Sequence, residues 1–357
     1  MSIKLRFRPI SFSWVAVHPE PKGVIQFIAG AFFGTFVPNL FYRNLLHFLF
    51  EQGYTIVLLP YDFTFNHLKE ASFLMEEQYR IIPEIIRIAK FAGYQYEVYF
   101  QQRNFSWIGH SLGCKYIALL EALSSIFSME KIRSVKKLQI ANEELLASSP
   151  ADDKKWIDQI LSKAEIKWIS SEEINDLIQE VKKTANQSLK LTRFYLQDED
   201  TDSFETDNFV FYNWFINDQA SILLAPAITD TDAAIQPKFL ADFIDRLGLG
   251  VKPTRDQTFE LIQKNNLFTL MGLVAFKSDN IAKSTVEELA KLKKPLPEYQ
   301  ETLPGGHLKP LGIRLYNHCV LNIFDKPWLE SVQARNAALE QHIINLLVKV
   351  KDLLPKV

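Results

Sequence analysis

The chain has 357 residues, of which 47% are apolar, and a formal net charge of −2 at pH 7. The apolar content is sufficient for a large core, and the small net charge gives no long-range attraction to nucleic acid or anionic lipid. Because Cys114 and Cys319 form no spacing pattern, the sequence supports neither a disulfide framework nor a zinc site, and a reducing compartment is expected. We expect no cofactor.

The first residues lack the apolar segment of a signal peptide, so a cytoplasmic location is predicted. An apolar tract at 24–50 has nearly the length of a membrane span, but it contains Pro38 and Arg43. A charge near the centre of a membrane helix costs about 2.5–3.5 kcal/mol on insertion, and proline breaks a helix. We therefore predict a strand, a loop and a helix here, and no transmembrane segment.

The first part of the chain alternates between strands and helices. Strands are predicted at 4–7, 13–17, 23–29, 54–60 and 104–109, a loop at 30–39, and helices at 40–52, at 67–92 and from 111 onward. Gly53 closes the first helix, and Asn66 is placed to cap the second. Such alternation is typical of a parallel sheet covered by helices on both faces.

The alternation stops at about 125 and resumes at about 213. In between, Pro150 starts one predicted helix, and Ser170 and Glu173 form a capping box for another. We therefore predict a core made of 1–124 and 213–357, and a helical insertion at 125–212 that serves as a cap or docking subdomain.

Beyond the insertion, the pattern again predicts strands and helices in turn. Strands are expected at 219–227, 268–276 and 297–303, and helices at 233–264, at 284–292 with Ser284 as the cap, and at 328–354. The full order predicts an α/β protein with a mostly parallel central sheet flanked by helices.

Residues 107–113 read WIGHSLG and contain the pattern Gly-x-Ser-x-Gly centred on Ser111. A serine hydroxyl is a poor nucleophile unless a base, an orienting acid and donors for the oxyanion surround it. A tight turn between a strand and a helix presents such a serine, and it is crowded enough to need flanking glycines. Since a predicted strand precedes Ser111 and a predicted helix follows it, we predict a nucleophile in an elbow.

The base is expected to be His307, in the segment LPGGHLKP after the last strand of the predicted sheet. Gly305 and Gly306 allow this loop to approach the serine closely. His110 is also near, but it lies next to Ser111 in the elbow and is expected to point into the core.

The orienting acid is expected to follow a strand. Asp279 comes just after the strand that ends at Phe276, and it precedes His307 in the chain. The order Ser, Asp, His is that of α/β-hydrolases. Asp230 and Asp232, which follow the preceding strand, are the alternatives.

The oxyanion donors are expected to be the backbone N–H of Leu112 and one N–H from the loop after strand 23–29, at Ala31 or Phe32. The apolar side chains of this loop, Phe33 and Phe36, are predicted to bind substrate. Core packing is an equally good explanation for these phenylalanines.

The segments IAGAFFG, GHSLG, FKSDNIAKS and LPGGHLKP occur in this order, and with them the chain resembles the α/β-hydrolase superfamily. More narrowly, it resembles a family of unknown function from cyanobacteria and plastids, which has a similar Gly-Ala-Phe loop, elbow and histidine loop. The resemblance covers about 20–125 and 210–315. It implies an α/β-hydrolase fold and a triad of Ser111, Asp279 and His307, and it brings no substrate.

The sequence thus predicts a serine hydrolase, esterase-like or lipase-like, that acts on a hydrophobic ester or lipid. The alternative is a non-catalytic hydrolase-fold protein that binds a partner through 125–212, in a phototroph as an assembly factor for a photosynthetic complex. A third interpretation places the protein at the surface of a thylakoid membrane. The helices at 151–187 argue against it, because they carry mixed charges rather than a basic face and a wide apolar stripe.

Overall fold

The computed structural model describes residues 4–35, 37–128, 150–163, 165–196, 219–230, 250–264, 270–292 and 299–353.

Within these ranges, eight strands form the main sheet. They are β1 (Arg8–Ile10), β2 (Ser13–Ala16), β3 (Gly23–Ile28), β4 (Tyr54–Leu59), β5 (Phe105–His110), β6 (Ala220–Leu224), β7 (Met271–Phe276) and β8 (Gln300–Leu303). Their order across the sheet is β1-β2-β4-β3-β5-β6-β7-β8. β2 is antiparallel to both of its neighbours, and β3 to β8 are mutually parallel. The loops that follow these parallel strands therefore all lie at one edge of the sheet.

The central strands are buried on both faces. Every residue of β3, β4, β5, β6 and β7 is buried. In β3, Val24 and Ile28 belong to one hydrophobic core, and Ile25 and Phe27 belong to another. This division follows from the two-residue repeat of a strand. The sheet thus separates two apolar cores, which explains the continuous apolar runs in the sequence.

Helices cover the two faces of the sheet. They are α1 (Ala31–Thr35), α2 (Pro38–Phe41), α3 (Arg43–Glu51), α4 (His67–Phe91), α5 (Leu112–Ser128), α6 (Pro150–Lys163), α7 (Ser171–Leu196), α8 (Arg255–Lys264), α9 (Lys283–Ala290), α10 (Val332–Arg335) and α11 (Gln341–Lys351), with a π-helical turn at Asn336–Glu340. Two 3₁₀ turns, Glu97–Phe100 and Gln102–Asn104, precede β5. α4, α5 and α7 pack into one core, and α3 and α11 pack into the other.

The α/β class predicted from the sequence is confirmed, as are several predicted helix caps. The Asn66 side chain accepts a hydrogen bond from the Lys69 N–H at 3.0 Å. The Ser170 hydroxyl accepts one from the Glu173 N–H at 3.1 Å. Gly53 follows α3 with a φ of 94°, a left-handed conformation that favours glycine at the end of a helix.

Several predicted element boundaries are wrong. In the helix predicted at 233–264, residues 250–254 are not helical, and 231–249 lie outside the described residues. Residues 4–7 are not a strand, because pairing with β2 starts only at Arg8. The loop predicted at 30–39 contains α1 and the start of α2, and Tyr42 separates α2 from α3. Ser284 does not cap α9, which starts one residue earlier. The helix predicted at 328–354 starts only at Val332, because the residues before it form a strand.

That strand belongs to a small second sheet that the sequence analysis missed. β9 (Ile313–Leu315), β10 (Cys319–Leu321) and β11 (Leu329–Ser331) pair antiparallel in the order β11-β10-β9. Each strand has three residues, which is too short for a recognisable periodicity. This sheet lies between the loop that carries His307 and the helix α10.

The helices α6 and α7 lie in the predicted insertion. α7 runs along α4, where the Ser188 hydroxyl donates to the Tyr79 carbonyl at 2.6 Å and Lys90 Nζ donates to the Tyr195 carbonyl at 3.0 Å. The boundaries 125–212 and the role of the insertion stay predictions, since 129–149 and 197–218 lie outside the described residues.

In the ranges given above, none of the helices is both long enough and apolar enough to cross a membrane. Across these same ranges, no three His, Cys, Asp or Glu side chains lie close enough together to hold a metal ion. Cys114, which is buried, and Cys319 are both free thiols.

Candidate active site

Ser111 lies in the tight turn between β5 and α5. Its φ is 54°, a left-handed conformation that is uncommon and strained for a residue other than glycine. A Cβ atom on Gly113 would lie 2.2 Å from the carbonyl oxygen of Ile28, and one on Gly109 would lie 2.7 Å from Cδ1 of Ile117. Close packing therefore requires both glycines of the motif, and the turn has the predicted elbow geometry.

His307 lies in the loop after β8, and its side chain is one-tenth exposed. Its Nε2 atom is 2.8 Å from the Ser111 hydroxyl oxygen. Gly305, two residues earlier, has a φ of 123°, and a Cβ atom there would lie 2.9 Å from Cγ of Lys309. A glycine at this position thus allows the sharp bend that brings the imidazole to the serine.

Residues of the small second sheet region and of α10 make hydrogen bonds to the backbone of this histidine loop. The Asn322 amide donates to the Leu308 carbonyl at 2.9 Å. Arg335 is fully buried and donates to the Lys309 carbonyl. Its guanidinium is paired with the buried Glu340 carboxylate at 3.1 Å. The loop backbone at Leu308 and Lys309 therefore has fixed hydrogen-bond partners in these two side chains.

Asp279 follows β7, and its side chain is almost fully buried. Its Oδ2 atom accepts a hydrogen bond from His307 Nδ1 at 2.9 Å. Its Oδ1 atom accepts the N–H groups of Ile281 and Ala282, both at 2.9 Å. Burial alone raises the pKa of this carboxyl, but the hydrogen bonds from His307 and from the two amides outweigh it, and the net pKa lies below its ordinary value. Asp279 is therefore ionised at neutral pH.

The two alternative acids are placed differently. Asp230 lines the same cleft as Ser111, but its Oδ1 atom accepts the Arg255 backbone N–H at 2.5 Å. Asp232 lies outside the described residues. The described geometry thus pairs His307 with Asp279.

The predicted oxyanion donors lie beside Ser111. Leu112 is the first residue of α5, and N–H groups in the first turn of a helix have no partner within the helix. Ala31 and Phe32 open α1, and they line the same cleft as Ser111. A Cβ atom on Gly30 would lie 3.2 Å from Cβ of Ser111, so the loop after β3 touches the elbow.

The cleft above Ser111 has a volume of about 440 Å³, within the range of small-molecule sites. Phe32, Phe63, Phe65, Val251 and Ile281 supply apolar walls. The aromatic residues after β4 were not among the predicted site residues. The signal was the segment YDFTF at residues 61–65, which directly follows a buried strand predicted to end at the edge that carries the elbow.

Polar side chains form another part of the cleft wall: Asp62, Thr64, His67, Thr229 and Asp230. Burial lowers the pKa of His67 to about 3, with a contribution from nearby Lys115, so the His67 ring is neutral at pH 7. No lysine or arginine is found among the cleft-lining residues in the described part of the chain. The charged groups on this wall are therefore carboxylates.

Phe33 and Phe36 are the predicted substrate contacts, and the structure describes only Phe33. Phe32 lines the cleft, whereas Phe33 does not. Phe33 is buried and packs edge-on against Phe41 and Phe324, with ring centroids 5.0 and 5.3 Å away. Core packing therefore accounts for the position of Phe33, and its substrate contact stays a prediction. Phe36 lies outside the described residues.

His110 turns away from the cleft into the interior, as predicted, but it is not an inert core residue. Its Nδ1 atom is 2.6 Å from the Tyr42 hydroxyl, and its Nε2 atom is 2.9 Å from the His307 carbonyl oxygen. The Tyr42 hydroxyl also accepts the Gly30 N–H at 3.0 Å. The sequence could not suggest Tyr42, which is 68 residues from His110.

The strand order, with its antiparallel second strand, and the strained serine at the end of β5 define the chain as a protein of the α/β-hydrolase fold. The chain belongs to DUF1350, a family of proteins of unknown function, whose model matches residues 6–207. The matched range contains Ser111 and ends before Asp279 and His307.

Comparison with solved structures finds proteins described as esterases. Esterase 2 of Thermogutta terrifontis, a planctomycete, is 11% identical in its propionate-bound form, with a TM-score of 0.44 over 100% of this chain and 97% of that chain. Its apo form is 12% identical, with a TM-score of 0.43 over 99% and 97% of the two chains. A putative carboxylesterase of Lactobacillus plantarum is 11% identical, with a TM-score of 0.33 over 84% of each chain. No curated protein matches.

Proposed function

We propose that the protein is a serine hydrolase that cleaves carboxylic esters with Ser111 as nucleophile, His307 as base and Asp279 as the orienting acid. One observation carries the proposal. Ser111 Oγ lies 2.8 Å from His307 Nε2, and His307 Nδ1 lies 2.9 Å from the buried Asp279 carboxylate. Such a chain of nucleophile, base and acid activates a serine hydroxyl.

The proposed reaction follows from the proton positions. Because the Asp279 carboxylate accepts from His307 Nδ1–H, the Nε2 atom carries a lone pair and accepts the Ser111 proton. Ser111 Oγ then bonds to the ester carbonyl carbon, and the oxyanion that forms takes hydrogen bonds from the N–H of Leu112 and from the loop at Ala31 or Phe32. His307 returns the proton to the departing alcohol, which leaves an acyl-enzyme. A water molecule activated by His307 hydrolyses it.

The cleft supports a substrate class. Its volume of about 440 Å³ and its aromatic walls suit an uncharged ester with a compact apolar group. Because Asp62 and Asp230 line it and no lysine or arginine is among its described lining residues, we expect it to disfavour an anionic acyl group. Hydrolysis of neutral p-nitrophenyl butyrate and of anionic mono-p-nitrophenyl succinate tests this expectation. We expect kcat/KM to be at least about tenfold higher for the neutral ester, a difference of about 1.4 kcal/mol in transition-state free energy. Equal values for the two esters would refute the charge argument.

The activity itself is tested by p-nitrophenyl esters of several chain lengths and by labelling with a fluorophosphonate probe. Ser111→Ala should remove both ester hydrolysis and labelling by the probe. Ser106→Ala is the matched control, because this hydroxyl on β5 is buried, has no hydrogen-bond partner among the described residues and lies away from the cleft. Well-folded wild-type protein that neither turns over any ester nor reacts with the probe would refute the proposed function.

A further inference from the structure

We propose that His110 and Tyr42 are positioning residues, which hold the oxyanion loop and the base in register through one chain of buried hydrogen bonds. This inference rests on the proposed function. His110 occupies a variable position of the Gly-x-Ser-x-Gly motif, so the motif assigns it no role.

Three hydrogen bonds make up the chain. The Gly30 N–H donates to the Tyr42 hydroxyl at 3.0 Å, the Tyr42 hydroxyl lies 2.6 Å from His110 Nδ1, and His110 Nε2 lies 2.9 Å from the His307 carbonyl oxygen. One end is thus the residue before Ala31, where the oxyanion loop begins. The other end is the backbone of the base itself.

The partners fix every proton in the chain. The His307 carbonyl oxygen can only accept, so His110 Nε2 carries a hydrogen and donates it. The Tyr42 oxygen already accepts from Gly30, so the phenol donates its one hydrogen to His110 Nδ1, which is the acceptor of the neutral ring. The three bonds therefore require one tautomer of His110, and all of them run in the same direction.

The surroundings favour a rigid chain. Tyr42 and His110 are both fully buried, and a hydrogen bond is stronger in such a medium than in water. Burial lowers the pKa of His110 to about 3, with a smaller effect of His307, so the ring stays neutral as the tautomer requires. A Cβ atom on Gly30 would lie 2.9 Å from His110 Nδ1, so the lack of a side chain at Gly30 allows the ring to lie this close to the oxyanion loop.

This chain of hydrogen bonds connects two loops that follow non-adjacent strands of the sheet. The oxyanion loop follows β3 and the histidine loop follows β8, and these strands are four positions apart in the sheet. At about 4.8 Å per strand, their starting points are separated by about 19 Å. The loops cross this distance to meet at Ser111, and an error of about 1 Å in such an alignment costs about 100-fold in rate. His110, which is next to Ser111, is placed to set both distances at once.

Removing the hydrogen-bonding groups of Tyr42 and His110 tests the proposal. Tyr42→Phe deletes only the hydroxyl, and His110→Leu deletes both ring nitrogens. We expect each to lower kcat for p-nitrophenyl butyrate by about tenfold or more while KM changes less than about twofold, because the loss acts on transition-state alignment rather than on substrate binding. The double variant should be no slower than His110→Leu, since both changes break the same chain.

Two further variants separate positioning from stability. His110→Gln can accept from Tyr42 with its amide oxygen and donate to the His307 carbonyl with its amide nitrogen, so we expect it to recover most of the kcat lost in His110→Leu. Tyr99→Phe is the matched control, because Tyr99 is buried and its hydroxyl lies 2.7 Å from Thr55 Oγ1, away from the cleft. It should lower the melting temperature but not kcat.

The rate of fluorophosphonate labelling gives the same comparison without a chosen ester. Wild type that labels, together with Tyr42→Phe that labels at an unchanged rate and is fully folded, would overturn the positioning role and leave the proposed function intact. Wild type that neither labels nor hydrolyses esters would overturn both. Slower labelling in Tyr42→Phe and recovery in His110→Gln would support the proposal.

Discussion

Replacing Asp279 with asparagine tests the role of the acid most sharply, because the structure dictates how the new amide must orient. Oδ1 of Asp279 accepts two backbone N–H groups, those of Ile281 and Ala282, so the amide oxygen of Asp279→Asn has to stay there. Its NH₂ group then faces His307 and donates to Nδ1. The imidazole is forced to carry its hydrogen on Nε2, where it can no longer accept the proton of Ser111.

We expect this wrong tautomer to lower kcat by about 10³- to 10⁴-fold, or about 4–5.5 kcal/mol of transition-state stabilisation. The assay is steady-state hydrolysis of p-nitrophenyl butyrate, with circular dichroism to verify folding. Asp230→Asn tests the other described candidate acid and should lower kcat by less than about tenfold, since Asp230 bonds the Arg255 backbone. The reasoning fails if Asp279→Asn keeps more than a tenth of wild-type kcat, or if Asp230→Asn loses as much.

Three further expectations concern the supports of the site. Gly305→Ala should lower both the free energy of unfolding and kcat, because a φ of 123° strains an alanine by about 1–3 kcal/mol. Gly306→Ala should lower both quantities less, because a Cβ atom there would lie 3.7 Å from its nearest neighbour. Equal losses in the two variants would contradict this. Arg335→Met should lower the free energy of unfolding, measured in urea, by about 3–5 kcal/mol, because it leaves the Glu340 carboxylate buried and unpaired. Adding Glu340→Leu to this variant should restore part of the loss. Asp279 has a folded-state pKa below its ordinary 3.8, so its stabilising effect is present above that value and disappears as the pH falls through the folded pKa. The difference in free energy of unfolding between wild type and Asp279→Asn should therefore stay constant well above pH 3.8 and narrow as the pH falls below that value, and a widening would refute the sign.

The site residues that are marked by a short motif or by the end of a strand were predictable from the sequence. Ser111 is found by a short motif between a strand and a helix, and Asp279 and His307 follow strands whose carboxyl ends share one edge of the sheet. The direction of β7 and β8 therefore determines where their loops lie. The same reasoning placed the loop of Ala31 and Phe32 after β3.

What was missed depends on packing between distant segments. Tyr42 reaches His110 only after α2 and α3 fold back over β3, and no pattern in the sequence encodes that contact. Ser284 looked like a helix cap by its local residue type, but the amides before α9 are taken by a buried carboxylate whose position is set by its partner His307. The three-residue strands β9 to β11 are stabilised by one another, so none of them is visible alone.

The packing of α7 against α4 affects how this protein can be engineered. Ile174, Ile178 and Val181 of α7 share one apolar core with Tyr79 and other residues of α4. A shortened version without α6 and α7 would leave that surface open to water and would be expected to aggregate. Experiments on a binding partner should instead alter the outward side of α7, where Leu191 and Phe194 are exposed, and leave the backbone of α6 and α7 intact.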